Sequence, residues 1–184
     1  MRFALLAAVA IYAAVVAWGI AAVEAAEPGV LARLAEPRTH AILRHAIAPG
    51  TGDPPGFTLG DCATQRNLDD RGRAQARAIG AALRDAGIAV DRVLTSQWCR
   101  SAETARLLDL AEVEEEASLN SFFADRATRD AQTEAVRRLL AALPAGETAV
   151  LVSHQVNITA LTGVYPRSGE VVVLRVAPDT SLEV

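Results

Sequence analysis

Short apolar runs alternate with amphipathic stretches along most of this chain. Thr39-His40-Ala41-Ile42-Leu43 is a compact run between Pro37 and a Gly/Pro-rich segment at 49–60, and it predicts a buried first strand followed by a loop. Ala74, Ala78, Ile79, Ala82 and Leu83 recur at helical spacing and predict a helix over 71–86 with that stripe facing inward. Asp69 or Asp70 would cap it and Gly87 would stop it. Residues 90–95 predict a second strand, and 101–110 a helix with Ala102, Ala105 and Leu108 facing in. A short strand with surface glutamates is expected within 112–119. A helix from Thr128 or Asp130 through Leu143 follows, stopped by Pro144-Ala145-Gly146. Residues 148–153 make a well-marked strand, 157–162 a short helix, and the β-branched run 170–176 a last strand. Ahead of the first strand, 28–36 fits a short helix or a linker.

Strands that alternate with helices imply an α/β fold with a mostly parallel central sheet flanked by helices. Right-handed crossovers carry the C-terminal ends of such strands to one edge, where ligands bind. His45, Arg100 and His154 each sit just past a predicted strand, so residues distant in sequence can meet there.

The N-terminal segment is different. Residues 3–23 are almost wholly apolar behind a single Arg2, and small residues follow where a signal peptidase would cut, after Ala25 or Ala26. Residues 1–25 are therefore expected to be a cleaved secretory signal or an uncleaved membrane anchor, and 26–184 a single domain. Either route places the domain outside the cytoplasm, periplasmic or extracellular, with membrane contact only through that segment. The two cysteines, Cys62 and Cys99, then lie in an oxidising compartment that permits one disulfide. Two unlinked thiols are the alternative.

Composition narrows the chemistry. The 184 residues carry a formal net charge of -4, and aromatic residues make up 4% of the chain, so neither a basic footprint nor stacking platforms for nucleic acid are present. Two Cys and three His show no ligand spacing, so no metal site and no cofactor are expected.

Three segments carry candidate chemistry: Arg44-His45 after the first strand, Ser96-Gln97-Trp98-Cys99-Arg100-Ser101-Ala102-Glu103-Thr104 after the second, and Ser153-His154 after a later one. A neutral imidazole can attack a phosphoryl group if nearby guanidinium groups offset the charge on its oxygens. In order and spacing these segments resemble the histidine phosphatase superfamily, also called phosphoglycerate mutase-like, over roughly residues 39–175. Ala46 departs from that family's usual Gly. The resemblance implies a three-layer α/β sandwich and a phosphohistidine mechanism. His45 would be the nucleophile, and Arg44, Arg100 and His154 would form the phosphate pocket. The substrate would be a small phosphorylated compound. The short, exported chain is similar to small bacterial members associated with lipopolysaccharide core sugar phosphates.

Both places where the family carries its general acid lack a carboxylate here: one holds Asn120, the other Gln155. Asp125 and Asp61 rank equally as replacements, Asp53 is the remaining loop carboxylate, and having no acid at all is the fourth option. Asn67 and Gln155 are candidate substrate-binding residues. Arg66 is read as a capping or solvated residue, His40 and Glu103 as structural, and Thr104 as packing. A phosphatase is the first reading. A non-catalytic phospholigand-binding protein that keeps the anion pocket is the second, and a phosphomutase the third.

Overall fold

The computed structural model of the chain describes residues 28–184, so the expected leader lies outside the described residues. Six strands form one sheet: β1 (Thr39–Arg44), β2 (Arg92–Thr95), β3 (Val113–Glu115), β4 (Ala149–Ser153), β5 (Val171–Val176) and β6 (Leu182–Glu183). Their order is β3-β2-β4-β1-β5-β6. The first four are mutually parallel, while β5 runs antiparallel to β1 and β6 antiparallel to β5. Every strand read from the sequence is present. The two-residue β6 is an addition, too short to leave a sequence pattern.

The central strands are buried on both faces, and their alternation divides the core in two. Ala41, Leu43, Val150 and Val152 point to one side and pack against Leu34 and against Ile79 and Leu83 of α2 (Asp70–Asp85) and Ala105 and Leu108 of α3 (Cys99–Leu108). Ile42, Ala149 and Leu151 point to the other and meet Val136 and Leu140 of α4 (Arg129–Ala142) and Ile158 and Leu161 of α5 (Gln155–Thr162). The result is the expected three-layer sandwich. The stretch at 28–36 is helical, as α1 (Pro28–Ala32) and a 3-10 turn over Arg33–Ala35.

Helix α2 starts where expected: the Asp69 carboxylate accepts a hydrogen bond from Gly72 N at 2.7 Å. Its buried stripe, however, is Gly72, Ala76, Ile79, Gly80 and Leu83, rotated from the one read from the alanines, and Ala74 is exposed. The reason is close backbone approach. A Cβ on Gly72 would stand 2.0 Å from the Ile47 carbonyl oxygen, and one on Gly80 1.9 Å from that of Leu108. Glycine carries no hydrophobic signal, so a pattern built on apolar side chains misses the two positions that press hardest on their neighbours.

Register places the chemistry. Arg44 of β1 pairs with Ser153 of β4, so His45 and His154 are the next residues on adjacent parallel strands. Thr95 of β2 pairs with Val152 on the other side of β4, which brings Ser96 to the same edge. Helices α3 and α5 each begin within a few residues of these strand ends, earlier than expected, so Arg100 lies in the first turn of α3.

Gly80→Ala is expected to destabilise the protein by about 1–3 kcal/mol, because α2 must move off the Leu108 carbonyl. Urea unfolding measures it. An unchanged midpoint would contradict the tight α2–α3 contact.

Candidate active site

The strand ends open into a cavity of about 540 Å³ lined by Arg44, His45, Arg66, Arg100 and His154, among others. All four residues singled out as catalytic from sequence therefore meet at one place. His45 is 2% exposed and its Nδ1 lies 2.8 Å from the Ala46 carbonyl oxygen. A carbonyl only accepts, so Nδ1 carries the hydrogen and Nε2 the lone pair. Arg100 Nε donates to that Nε2 at 3.2 Å. The Ala46 amide in turn donates to Thr104 Oγ1 at 3.0 Å, and that hydroxyl donates to the Arg100 carbonyl at 2.7 Å. Thr104, read as packing, thus ties the turn after His45 to the helix that carries Arg100.

His154 is buried, with Nε2 2.7 Å from Ser96 Oγ and 3.4 Å from Ser101 Oγ. The Trp98 amide donates to the same Ser96 oxygen at 3.2 Å. The two imidazoles stand edge to face with centroids 5.5 Å apart. Arg44 Nη1 donates to the Pro166 carbonyl at 3.3 Å.

Asp53 completes the site. Its oxygens accept from Arg100 Nη1 at 2.6 Å and Nη2 at 3.1 Å, from Trp98 Nε1 at 3.0 Å and from the Arg66 amide at 3.3 Å. It is the one carboxylate among the described residues that line the cavity. Asp61 and Asp125, the two first-ranked acids, instead cap exposed 3-10 turns, accepting from Ala63 N and Ala127 N. Neither lines the cavity.

Beside these stands a model of the histidine phosphatase superfamily (branch 1), which matches residues 61–134. The structure of Bacillus stearothermophilus YhfR is similar, with a TM-score of 0.59, 16% identity, and coverage of 79% of this chain and 94% of that one. The protein histidine phosphatase SixA complexed with tungstate gives 0.54 and 15% over 79% and 92%. A mycobacterial glucosyl-3-phosphoglycerate phosphatase complexed with VO3 gives 0.54 and 17% over 74% and 92%. The fold is that of the histidine phosphatases. No curated protein matches the chain by sequence.

Within that histidine phosphatase fold, the remaining sequence candidates divide. Gln155 lines the cavity while its amide nitrogen donates to Thr159 Oγ1 at 2.8 Å. Asn67 is elsewhere: its amide donates to the Cys62 and Gln65 carbonyls, holding the 3-10 turn over Cys62–Thr64. An amide beside a run of open carbonyls satisfies the backbone first, and nothing in the spacing of Asn67 revealed that turn. Arg66 corrects the reading in the other direction. It is half-buried, lines the cavity, and donates to the Gly52 carbonyl at 2.8 Å and to that of Ala48. Gln65 was missed altogether. Its buried side chain accepts from the Cys99 amide at 2.9 Å and so caps α3, whose N-cap side chain makes no such bond. Glu103 pairs with Arg73 of α2 at 2.7 Å, a structural role. His40 is buried in β1 and accepts from the Ala149 amide at 3.3 Å.

The disulfide option is the one realised: Cys62 and Cys99 are bridged across a separation of 37 residues. The bridge fastens the cavity loop to the first residue of α3, one position before Arg100. Among the described residues, no group of three or more His, Cys, Asp or Glu side chains could hold a metal ion.

Electrostatics follow from this packing. Burial pushes the His45 imidazole down to about 3, and the Arg100, Arg66 and Arg44 guanidinium groups add to the shift against the opposing Ala46 carbonyl. Burial lowers His154 well below its ordinary value too, with His45 and the same arginines reinforcing it. Burial alone would raise Asp53, but hydrogen bonds and charge from Arg100, with Trp98 and the Arg66 amide, hold it below the usual carboxylate range. Desolvation brings Arg66 down to about 10, still protonated at neutral pH. The site therefore presents three guanidinium groups against one carboxylate, with both imidazoles neutral. That leaves a net excess of two positive charges, which favours an anionic ligand.

Two outcomes are expected. Replacing both cysteines with serine costs about 3–4 kcal/mol by the loop-closure relation for a 37-residue separation, read by chemical denaturation against the oxidised protein. In the unfolded chain His45 titrates near 6.5 and in the folded one near 3, so protons favour the unfolded state across that interval. Stability should be flat above pH 7 and fall as pH drops from 6.5 towards 3, less steeply in His45→Gln. Equal pH slopes for the two proteins would show that His45 is not buried neutral.

Proposed function

We propose that this chain is an exported, metal-independent phosphatase that hydrolyses a phosphate monoester through a phosphohistidine. One observation carries the reading: His45 Nε2 carries no hydrogen and accepts from Arg100 Nε in a cavity with two further guanidinium groups. A neutral imidazole whose other nitrogen is tied to a carbonyl has its lone pair fixed in direction, which is what in-line attack on phosphorus requires. Arg44, Arg66 and Arg100 take the non-bridging oxygens and stabilise the charge that grows on them. His154, held by Ser96, adds a second imidazole beside the nucleophile. Attack forms the P–N bond and expels the alcohol, and water then releases phosphate from His45.

The comparisons support the oxyanion part of this reading, since two of the similar structures hold tungstate and VO3. The disulfide fits an oxidising compartment and so supports export. The mouth of the cavity carries Phe57, Phe123 and Tyr165, the last 73% exposed, and Phe57 stacks on Trp98 with centroids 5.1 Å apart. Such a rim suits a leaving group with a flat or ring-shaped apolar face. A lipopolysaccharide core sugar phosphate is one member of that class, favoured by size and export rather than by any single residue of the rim.

A second reading rests on a specific observation: Asn120 and Gln155 occupy the two places where related enzymes carry an acid. On that reading the chain binds a phosphorylated ligand without turning it over.

Incubation of the mature domain with p-nitrophenyl phosphate, with and without chelator, separates the two. We expect turnover that is insensitive to chelator, a trapped phosphoenzyme labelled on His45, and loss of both in His45→Ala. Arg100→Ala should lower the rate by about two to three orders of magnitude. Tight phosphate binding with no turnover would establish the binding protein instead.

A further inference from the structure

The phosphohistidine scheme needs a proton for the leaving oxygen. Asn120 cannot provide it, and its side chain is committed to Gln97, accepting from the amide at 2.9 Å and donating to Oε1 at 2.8 Å. Gln155 is an amide. Asp61 and Asp125 sit on exposed turns outside the cavity. Asp53 lies inside it, 16% exposed, and its placement relative to His45 is specific. One edge of the Arg100 guanidinium, Nε, faces His45 Nε2 at 3.2 Å, and the other, Nη1 and Nη2, holds Asp53 at 2.6 and 3.1 Å. The guanidinium thus stands between the nucleophilic nitrogen and the carboxylate.

Carboxylate and phosphate take a guanidinium by the same two-pronged geometry. A phosphoryl group that binds Arg100 beside His45 therefore competes with the Asp53 oxygens for the same donors. Displacement is in line, so the ester oxygen departs on the side away from His45, and Asp53, across Arg100 from His45, is the carboxylate of the described cavity lining available to meet it. Trp98 Nε1 and the Arg66 amide remain to keep the carboxyl group aimed at the cavity once Arg100 has turned to the substrate.

We propose that Asp53 is the proton donor to the leaving group, held on Arg100 in the free protein and released for the reaction when the substrate's phosphoryl group takes that guanidinium; this rests on the phosphatase reading above. The substrate enters as the monoanion. Its acidic P–OH proton passes to Asp53 as the phosphoryl group, now a dianion, pairs with Arg100. His45 Nε2 then forms the P–N bond, the P–O ester bond breaks, and the Asp53 proton goes to the departing oxygen. In the second half Asp53 accepts a proton from the attacking water, the P–N bond breaks, and His45 returns neutral. The proton on Asp53 leaves with inorganic phosphate, so the carboxylate pairs with Arg100 again.

The test is a leaving-group series measured as kcat/KM, which reports the step that breaks the ester bond. p-Nitrophenyl phosphate leaves without help, whereas phenyl phosphate and a simple alkyl phosphate need the proton. Asp53→Asn is expected to lose less than ten-fold on p-nitrophenyl phosphate and at least a hundred-fold on the alkyl ester, with Asp53→Glu recovering part of the second loss. In the unaltered protein the dependence on leaving-group acidity should be shallow, a readout independent of whether the variant folds. Equal losses on all three esters would show that Asp53 only positions Arg100, and a gain on all three that it only competes with substrate. Either result, or a steep dependence in the unaltered protein, overturns the proposal while the phosphatase reading stands. Turnover that survives His45→Ala overturns the phosphatase reading and this proposal together.

Discussion

The Arg100 guanidinium organises this protein. It is 3% exposed, donates to a histidine on one edge and holds a carboxylate on the other. A buried cation persists only if its donors are spent on well-placed acceptors, and here they come from the loop after β1 and from β1's own end. The loop over 46–66, the start of α3 and the end of β1 are therefore specified jointly. The Cys62–Cys99 bridge and the Gln65 cap act on the same junction, which confines where Arg100 can point.

The scaffold serves that arrangement through register. Parallel strands paired at Arg44–Ser153 and Thr95–Val152 deliver His45, His154 and Ser96 to one edge without any long-range side-chain contact being needed to bring them there. Depth then sets the protonation state. The imidazoles sit among guanidinium groups in the cavity and stay neutral, so His45 keeps the lone pair on Nε2 at ordinary pH. The same burial makes the site a liability in acid. A neutral imidazole at ordinary pH and sensitivity to acid are two consequences of one desolvation.

Much of this was legible in the residue order. The Arg44-His45 pair, the segment from Ser96 to Thr104 and His154 each follow an apolar run, and a parallel sheet has to bring such positions to one edge. The helix stripe on α2 was misplaced because Gly72 and Gly80, which meet backbone rather than side chains, are silent in any hydrophobic pattern. Arg66 looked like a surface arginine and Asn67 like a ligand-binding amide. Their roles are exchanged because the turn at Cys62–Thr64 absorbs the amide and turns the arginine inward.

Hydrophobic periodicity, strand ends and the residues placed directly after them are local properties, and linear order was enough to anticipate the α/β architecture and the meeting of Arg44, His45, Arg100 and His154 in one cavity. Which carboxylate joins them is a different kind of question. Asp53, Asp61 and Asp125 are equivalent in a string of letters, each in a polar loop. The choice among them depends on how the loop after His45 folds back over α3, and that path is set by contacts between segments about fifty residues apart, including Asp53 with Arg100 and Ala46 with Thr104. Such contacts have no counterpart in neighbouring residues, so only the folded chain could select the one of these three carboxylates that lines the cavity and pairs with Arg100.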